Sequence, residues 1–303
     1  MIVPWIKGFL SWQKAPVTWM LVALNLFVFI FTTESGRTFN NSFSNSESLI
    51  LTGKLYAQYQ NQEATRLPAL TSSDWIIKGG MALKDPEFME RADTFSFHGD
   101  EIAIESWRGK VRAYRDQIPL LSSHIFGLHT QNAPALTWVT YQFMHAGWFH
   151  LIGNMLMFLI FGAALEASIG GLGLCLAYLF SGFAGAWAFL AMSSASLAPM
   201  IGASGSLSGV MALYTAFEKR KRVAFFYFLS PLPGYYGFIY LPTLVIFPLC
   251  FMQDLAGYLS TPAELGSGVA YMAHIGGAVF GALVGLGLRW WRKSLWLRWF
   301  FQH

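Results

Sequence analysis

Charge is what this chain of 303 residues has least of: Asp, Glu, Lys and Arg make up 12% of it, about half the usual quarter, whereas 54% is apolar. The scarcity is uneven. Of the charged residues, 22 fall between Glu34 and Asp116, which leaves 14 for all the rest of the chain. That charge-poor remainder is excluded from being ordinary soluble domains. Cysteine is nearly missing as well. Cys175 and Cys250 both lie in apolar runs, too few for a disulfide framework and far from any zinc-binding spacing. The chain has no internal repeat and no Asp, Glu, Lys or Arg spaced through its apolar runs, which argues against a channel or transporter. A net charge of +4 does not imply nucleic acid, because eight of the 20 basic residues sit in two short segments beside apolar runs, where topology accounts for them.

What is present is a set of apolar runs long enough to cross a bilayer, which needs about 20 residues. Six candidates stand out, at roughly 16 to 33, 146 to 165, 171 to 192, 204 to 217, 239 to 257 and 267 to 288, the fourth short. The first shows no clear cleavage site and reads as a span that stays. Lys7 and Lys14 precede the first span, Lys219, Arg220, Lys221 and Arg222 follow the fourth, and Arg289, Arg292, Lys293 and Arg298 follow the sixth. By the positive-inside rule these ends, and both termini, are expected to be cytoplasmic. The fold expected is an all-α polytopic membrane protein, one membrane domain over 1 to 303 with an enlarged extracytoplasmic loop, 34 to 135, inserted between spans 1 and 2.

That loop is too long for a connector and is expected to be partly structured. Asp85 followed by Pro86 marks a helix start. Trp107, Val111, Tyr114 and Ile118 fall on one helical face before Pro119, among Arg108, Lys110, Arg112 and Arg115. This basic amphipathic helix either packs within the segment or lies on lipid headgroups. Residues 36 to 48, rich in Ser and Asn, read as a flexible connector.

Polar side chains inside spans are uncommon and are functional candidates by default. The second span opens with His145, His150 and Asn154, the fourth with Gly202-Ala203-Ser204-Gly205, and the sixth holds Ala273-His274-Ile275-Gly276-Gly277. Each has an ordinary reading: a serine among glycines packs helices, a lone histidine bonds a carbonyl, and His150 with Asn154 at i and i+4 ties two helices together. Depth argues otherwise. Ser204 lies 15 residues before Lys219 and His274 lies 15 before Arg289. At 1.5 Å per residue both stand about 22 Å above the basic boundary, and His150 and Asn154 fall in the same layer.

Gly205 and Gly209 on the fourth span, and Gly277, Gly281 and Gly285 on the sixth, form small-residue seams that let backbones approach closely. A serine is a poor nucleophile until a neutral imidazole takes its proton, and a serine at a helix N-terminus has free N–H groups beside it to hold an oxyanion. No Asp or Glu lies at this depth in these spans, so the chemistry expected is a Ser204–His274 dyad.

With these residues the sequence resembles the rhomboid family of intramembrane serine proteases, through Gly202-Ala203-Ser204-Gly205, Ala273-His274-Ile275-Gly276-Gly277 and His150 to Asn154. The resemblance extends to Pro16 through Asn25, to Thr140 through His145, and to Gly162, Glu166 and Gly170. It implies a six-span bundle in which Ser204 attacks a peptide bond of a single-span membrane substrate and His274 is the base. His150, Asn154 and the Ser204 N–H would hold the oxyanion, no metal or organic cofactor would be needed, and Glu166 would be structural. Two departures stand out: no Arg follows Trp138, where many members have Trp-Arg before the second span, and the loop between Asp254 and His274, which caps the site in the family, is extended. The enlarged first loop is expected to contribute to substrate choice.

Other intramembrane proteases are set aside on residues: the chain has no H-E-x-x-H and no pair of intramembrane aspartates. His145 and His150, five apart, would face different sides of a helix and make a poor metal face. The remaining alternative is a rhomboid-like pseudoprotease that binds membrane clients without cleavage. A bacterial inner membrane is the location expected.

Overall fold

The computed structural model describes residues 2–5, 13–37, 43, 45–61, 68–193, 195–218, 222–228, 236–245, 252 and 271–302. Among them, three helices are long and apolar enough to cross a membrane: α1 (Pro16–Arg37), α8 (Trp148–Met192) and α10 (Tyr271–Gln302). Between α1 and α8 lie α2 (Ser46–Gln60), α3 (Ser72–Ala82), α4 (Pro86–Arg91), α5 (Glu101–Gln117) and the short α6 (Ser122–Phe126) and α7 (Thr137–Thr140). The short α9 (Ser204–Phe217) precedes α10.

α8 is two helices joined at Gly170, whose φ of 80° and ψ of 166° end one and start the other. Phe158 and Tyr178, twenty positions apart, would be separated by about 30 Å in a straight helix. Their ring centroids are 5.4 Å apart, so the chain folds back on itself. The turn is seated against the start of α1. Glu166 is buried, and its carboxylate accepts from Val17 N at 3.0 Å, Thr18 N at 2.8 Å and the Thr18 hydroxyl at 2.7 Å. A carboxylate at a helix N-terminus satisfies amides that have no intrahelical acceptor and meets the positive end of the helix dipole.

α9 runs through the middle of the bundle, and most of its residues are buried. α10 lies against it along the glycine seam. A Cβ at Gly277 would fall on the Gly205 carbonyl oxygen, one at Gly281 on that of Gly209, and one at Gly285 would come 2.6 Å from that of Leu213. The other face of α10 meets the second half of α8, where a Cβ on Gly276 would stand 2.7 Å from the Ala184 carbonyl oxygen. Backbones this close tolerate no side chain between them.

α2 to α5 form a separate aromatic core of Tyr56, Phe88, Phe97 and Trp107, with Trp107 Nε1 donating to Thr52 at 2.9 Å. Asp85 caps α4, accepting from Glu87 N and Phe88 N. The amphipathic pattern from Trp107 onward falls in α5, and its apolar face is covered: Ile104, Trp107 and Val111 are buried in this core. Its arginines are engaged by protein. Arg112 and Arg115 each reach Asp93 at 2.7 Å, and Arg108 donates to the Phe95 carbonyl at 2.8 Å. Of the two readings of this helix, packing within the segment is the one found. Of residues 36 to 48, expected to be a flexible connector, 36 and 37 end α1 and 46 to 48 begin α2, and between these helices only residues 43 and 45 are described.

The described residues also contain strands, which the all-α expectation omits. β1 (Ile2–Trp5), β2 (Arg222–Phe228) and β3 (Tyr236–Pro242) form an antiparallel sheet in that order. β3 overlaps the expected start of the fifth span at 239. The run is apolar, but its aromatic and β-branched residues suit a strand as well as a helix. Most of that expected span, the first residues of the sixth, and the loop from 255 to 268 lie outside the described residues, as do Lys7 and Lys219 to Lys221.

Candidate active site

Ser204 is the first residue of α9, and His274 lies in the first turn of α10. The glycine seam sets the two helices so that His274 Nε2 stands 2.8 Å from Ser204 Oγ, across 70 residues of sequence. A neutral imidazole with Nε2 unprotonated accepts the serine proton in this geometry. The amides of the first turn of α9, Ser204 included, have no intrahelical acceptor.

Gly202 brings a third group in. Its φ of 130° is a conformation that side chains disfavour, and a Cβ there would stand 2.9 Å from His150 Cε1, 3.0 Å from His150 Nε2 and 3.6 Å from Ser204 Oγ. The imidazole of His150 therefore lies beside the nucleophile with glycine as the gap between them. Asn154, one turn further along α8, is buried, and its Nδ2 has no hydrogen-bond partner among the described residues. The structure thus joins Ser204 to His274 and sets His150 next to them, with Asn154 on the same helical face as His150.

The His145–His150 relation differs from the sequence expectation. α8 begins at Trp148, so His145 precedes the helix and its ring packs against His150, centroids 5.1 Å apart. Among the described residues no three His, Cys, Asp or Glu side chains come together to hold a metal.

Behind the nucleophile is a polar brace that depth reasoning did not single out. Gln142 is fully buried, and it accepts from the Ser206 hydroxyl at 2.9 Å while donating to the Trp138 carbonyl at 2.8 Å. The Tyr141 carbonyl accepts from Gly202 N at 2.9 Å, and the Tyr141 hydroxyl donates to the Gly182 carbonyl at 2.7 Å. A signal was available: Gln142 is an isolated amide in an apolar approach to a span.

The segment that feeds Ser204 is held by residues that precede α8. Leu128 and Met200 exchange backbone hydrogen bonds of 2.9 and 2.8 Å, Thr130 Oγ1 accepts from Ser196 N at 3.0 Å, and Leu197 N donates to the Lys84 carbonyl at 2.8 Å. Leu197 packs on the aromatic core of α2 to α5. Nearby, His124 stands edge-on to His129 with centroids 4.2 Å apart, and burial together with that neighbour holds its imidazole below the usual value.

A family model described as the Rhomboid domain matches residues 133–291, more than half of the chain, with His150, Asn154, Ser204 and His274 inside the match. The chain belongs to the rhomboid family. Rhomboid relatives by sequence include Rhomboid-like protein 11, chloroplastic, of Arabidopsis thaliana, 38% identical over 86 residues, 27% of this chain and 29% of that protein. Rhomboid protein 1, mitochondrial, of Saccharomyces cerevisiae is 28% identical over 147 residues, 47% of this chain and 39% of its own length. Rhomboid-related protein 2 of Mus musculus is 30% identical over 152 residues, 50% of this chain and 47% of the relative. The matched region spans less than half of each of these rhomboid proteins. Two carry organelle names and the third is a mouse protein, so the bacterial inner membrane expected from the sequence gains no support from them.

Proposed function

We propose that this rhomboid is an intramembrane serine endopeptidase that cleaves single-span membrane proteins. The observation that carries the reading is the 2.8 Å approach of His274 Nε2 to Ser204 Oγ, made by two helices sealed together through glycine. Ser204 Oγ attacks the carbonyl carbon of the scissile peptide bond while its proton passes to His274 Nε2. The oxyanion that forms lies against the Ser204 N–H, the His150 imidazole and the Asn154 amide, whose Nδ2 has no partner among the described residues. His274 then gives its proton to the leaving amine, and water, activated by the same imidazole, releases the acyl group.

The membrane core has six spans in this proposal, with α8 supplying two and α9 the short central one. Both termini and the basic ends at 219 to 222 and 289 to 293 face the cytoplasm. The helical cluster α2 to α5 then lies on the opposite side, beside the Ser204 opening. Its hold on Leu197, seven residues before the nucleophile, supports a part in substrate choice.

The experiment is direct. Detergent-purified protein is treated with a fluorophosphonate probe, the adduct is located by mass spectrometry, and the treatment is repeated on His274→Ala. An adduct on Ser204 that disappears without His274 is the expected result; no adduct on folded protein would favour a client-binding pseudoprotease. Ser204→Ala and His274→Ala each abolish cleavage, whereas Asn154→Ala lowers it by about 10²- to 10³-fold, the effect of one oxyanion donor.

A further inference from the structure

At the end of the bundle away from Ser204, α8, α9 and α10 enclose an open-sided groove of about 500 Å³, within the range of small-molecule sites of about 300–1,000 Å³. Its walls are apolar, with Ile169, Leu176 and Phe180 from α8, Leu213 from α9 and Val284 from α10. On α10 the lining runs from Phe280 to Arg292, about 18 Å along the helix axis. Half of a bilayer core is about 15 Å. The groove is therefore one leaflet deep, the length of an acyl chain; a spanning helix would need twice that.

One end of the groove is cationic. Arg292 lines it, set with its guanidinium 4.2 Å over the Phe217 ring and bonded to Glu218 at 2.8 Å. Outside the lining, Arg289 stands three residues before Arg292 and four before Lys293, so the cations follow one another as neighbours along this stretch of α10, and among the described residues Glu218 pairs with Arg292. Trp291 lines the same end, at the level where aromatic side chains meet headgroups. Ser168 adds a polar group, though its hydroxyl already donates to the Ala164 carbonyl.

We infer that this groove is a binding site for an anionic glycerophospholipid, with one acyl chain along Leu213 and Val284 and the phosphate at Arg289, Arg292 and Lys293. Basic pockets between spanning helices select anionic headgroups in this way. The chain supplies the fit and the cations supply the preference. Nothing in this inference depends on the chemistry of Ser204, which lies at the far end of α9.

The test is retention. Full-length protein is equilibrated in mixed micelles with equal amounts of phosphatidylglycerol and phosphatidylcholine, repurified, and its bound lipids are counted by native mass spectrometry. Phosphatidylglycerol is retained over phosphatidylcholine on the order of tenfold. The double variant Arg289→Gln/Lys293→Gln, which leaves the Arg292–Glu218 pair intact, brings the two lipids to parity. Val284→Trp, which fills the groove, loses both. Equal retention of the two lipids by the unaltered protein, or an unchanged preference in the double variant, would overturn the site. So would full retention in a folded Val284→Trp; should that variant not fold, the double variant decides alone.

Discussion

The membrane bundle and the helical cluster of α2 to α5 are both packed helices, yet they are held by different means. In the bundle, α9 meets α10 backbone to backbone through Gly277, Gly281 and Gly285, and buried polar groups such as Glu166 and Gln142 tie neighbours together. In the cluster, glycine serves only the crossing of α2 with α3, at Gly53 and Gly79, and the centre is a mass of aromatic rings wrapped in charge. The hydrophobic effect explains the contrast. A cluster bathed in water gains by hiding Trp107 and Phe88; helices bathed in lipid gain nothing by hiding Leu from Leu, and must associate through close contact and hydrogen bonds.

The sharpest way to break the comparison is a large side chain in the seam. Gly281→Leu cannot be accommodated without parting α9 from α10, so Ser204 loses its base and fluorophosphonate labelling vanishes. Full labelling in that variant would show that the seam does not position the pair. In the cluster the corresponding injury is Trp107→Ala, which costs about 3 to 5 kcal/mol of local stability. It should raise hydrogen exchange across α2 to α5 while α9 and α10 keep their protection. Glu166→Gln is milder: it removes the charge from the hydrogen bonds that seat α1, a loss of about 1 to 3 kcal/mol, visible as a lower melting temperature with the Ser204 adduct still formed.

The smallest effect is acid. Burial pushes the Asp93 carboxyl up, but its hydrogen bonds and charge contacts with Arg112 and Arg115 outweigh burial and hold it below the usual carboxylate value. A carboxyl lowered in the folded state gives stability that is complete above its unfolded value, about 3.9, and is lost as pH falls through the folded one. Acidification below about pH 4 therefore loosens the cluster first. Asp93→Asn should remove that step from the exchange profile.

Much of the site could be read in the residues because a membrane enforces simple geometry. A fixed rise per residue between basic boundaries set Ser204 and His274 level, and the glycine spacing predicted the contact that joins them. The limits of α9 were legible too, since polar Gly202 to Ser204 and Glu218 bracket one apolar run. What could not be read was anything that depends on which apolar conformation wins. The run around 239 suits a spanning helix by its apolar character, but Phe, Tyr and Ile fill either structure, and here they pair as strands β2 and β3. The opposed faces expected of His145 and His150 require a helix that includes His145, but α8 begins three residues later, at Trp148. The bond from Leu197 to Lys84 runs between backbone groups, so no side-chain pattern announces it.

The carboxylate of Glu166 lies 148 residues beyond the amide of Thr18 that it accepts from. A ribosome adding about 5 to 20 residues per second needs roughly 7 to 30 s to cover that distance. Through all of that interval α1 is already made and has no protein acceptor from α8 for the first amides of its helix, so headgroups and interfacial water must serve them. The first span is thus held as a lodger in the bilayer, and its place in the molecule is assigned only once the turn at Gly170 has brought the second and third spans in together.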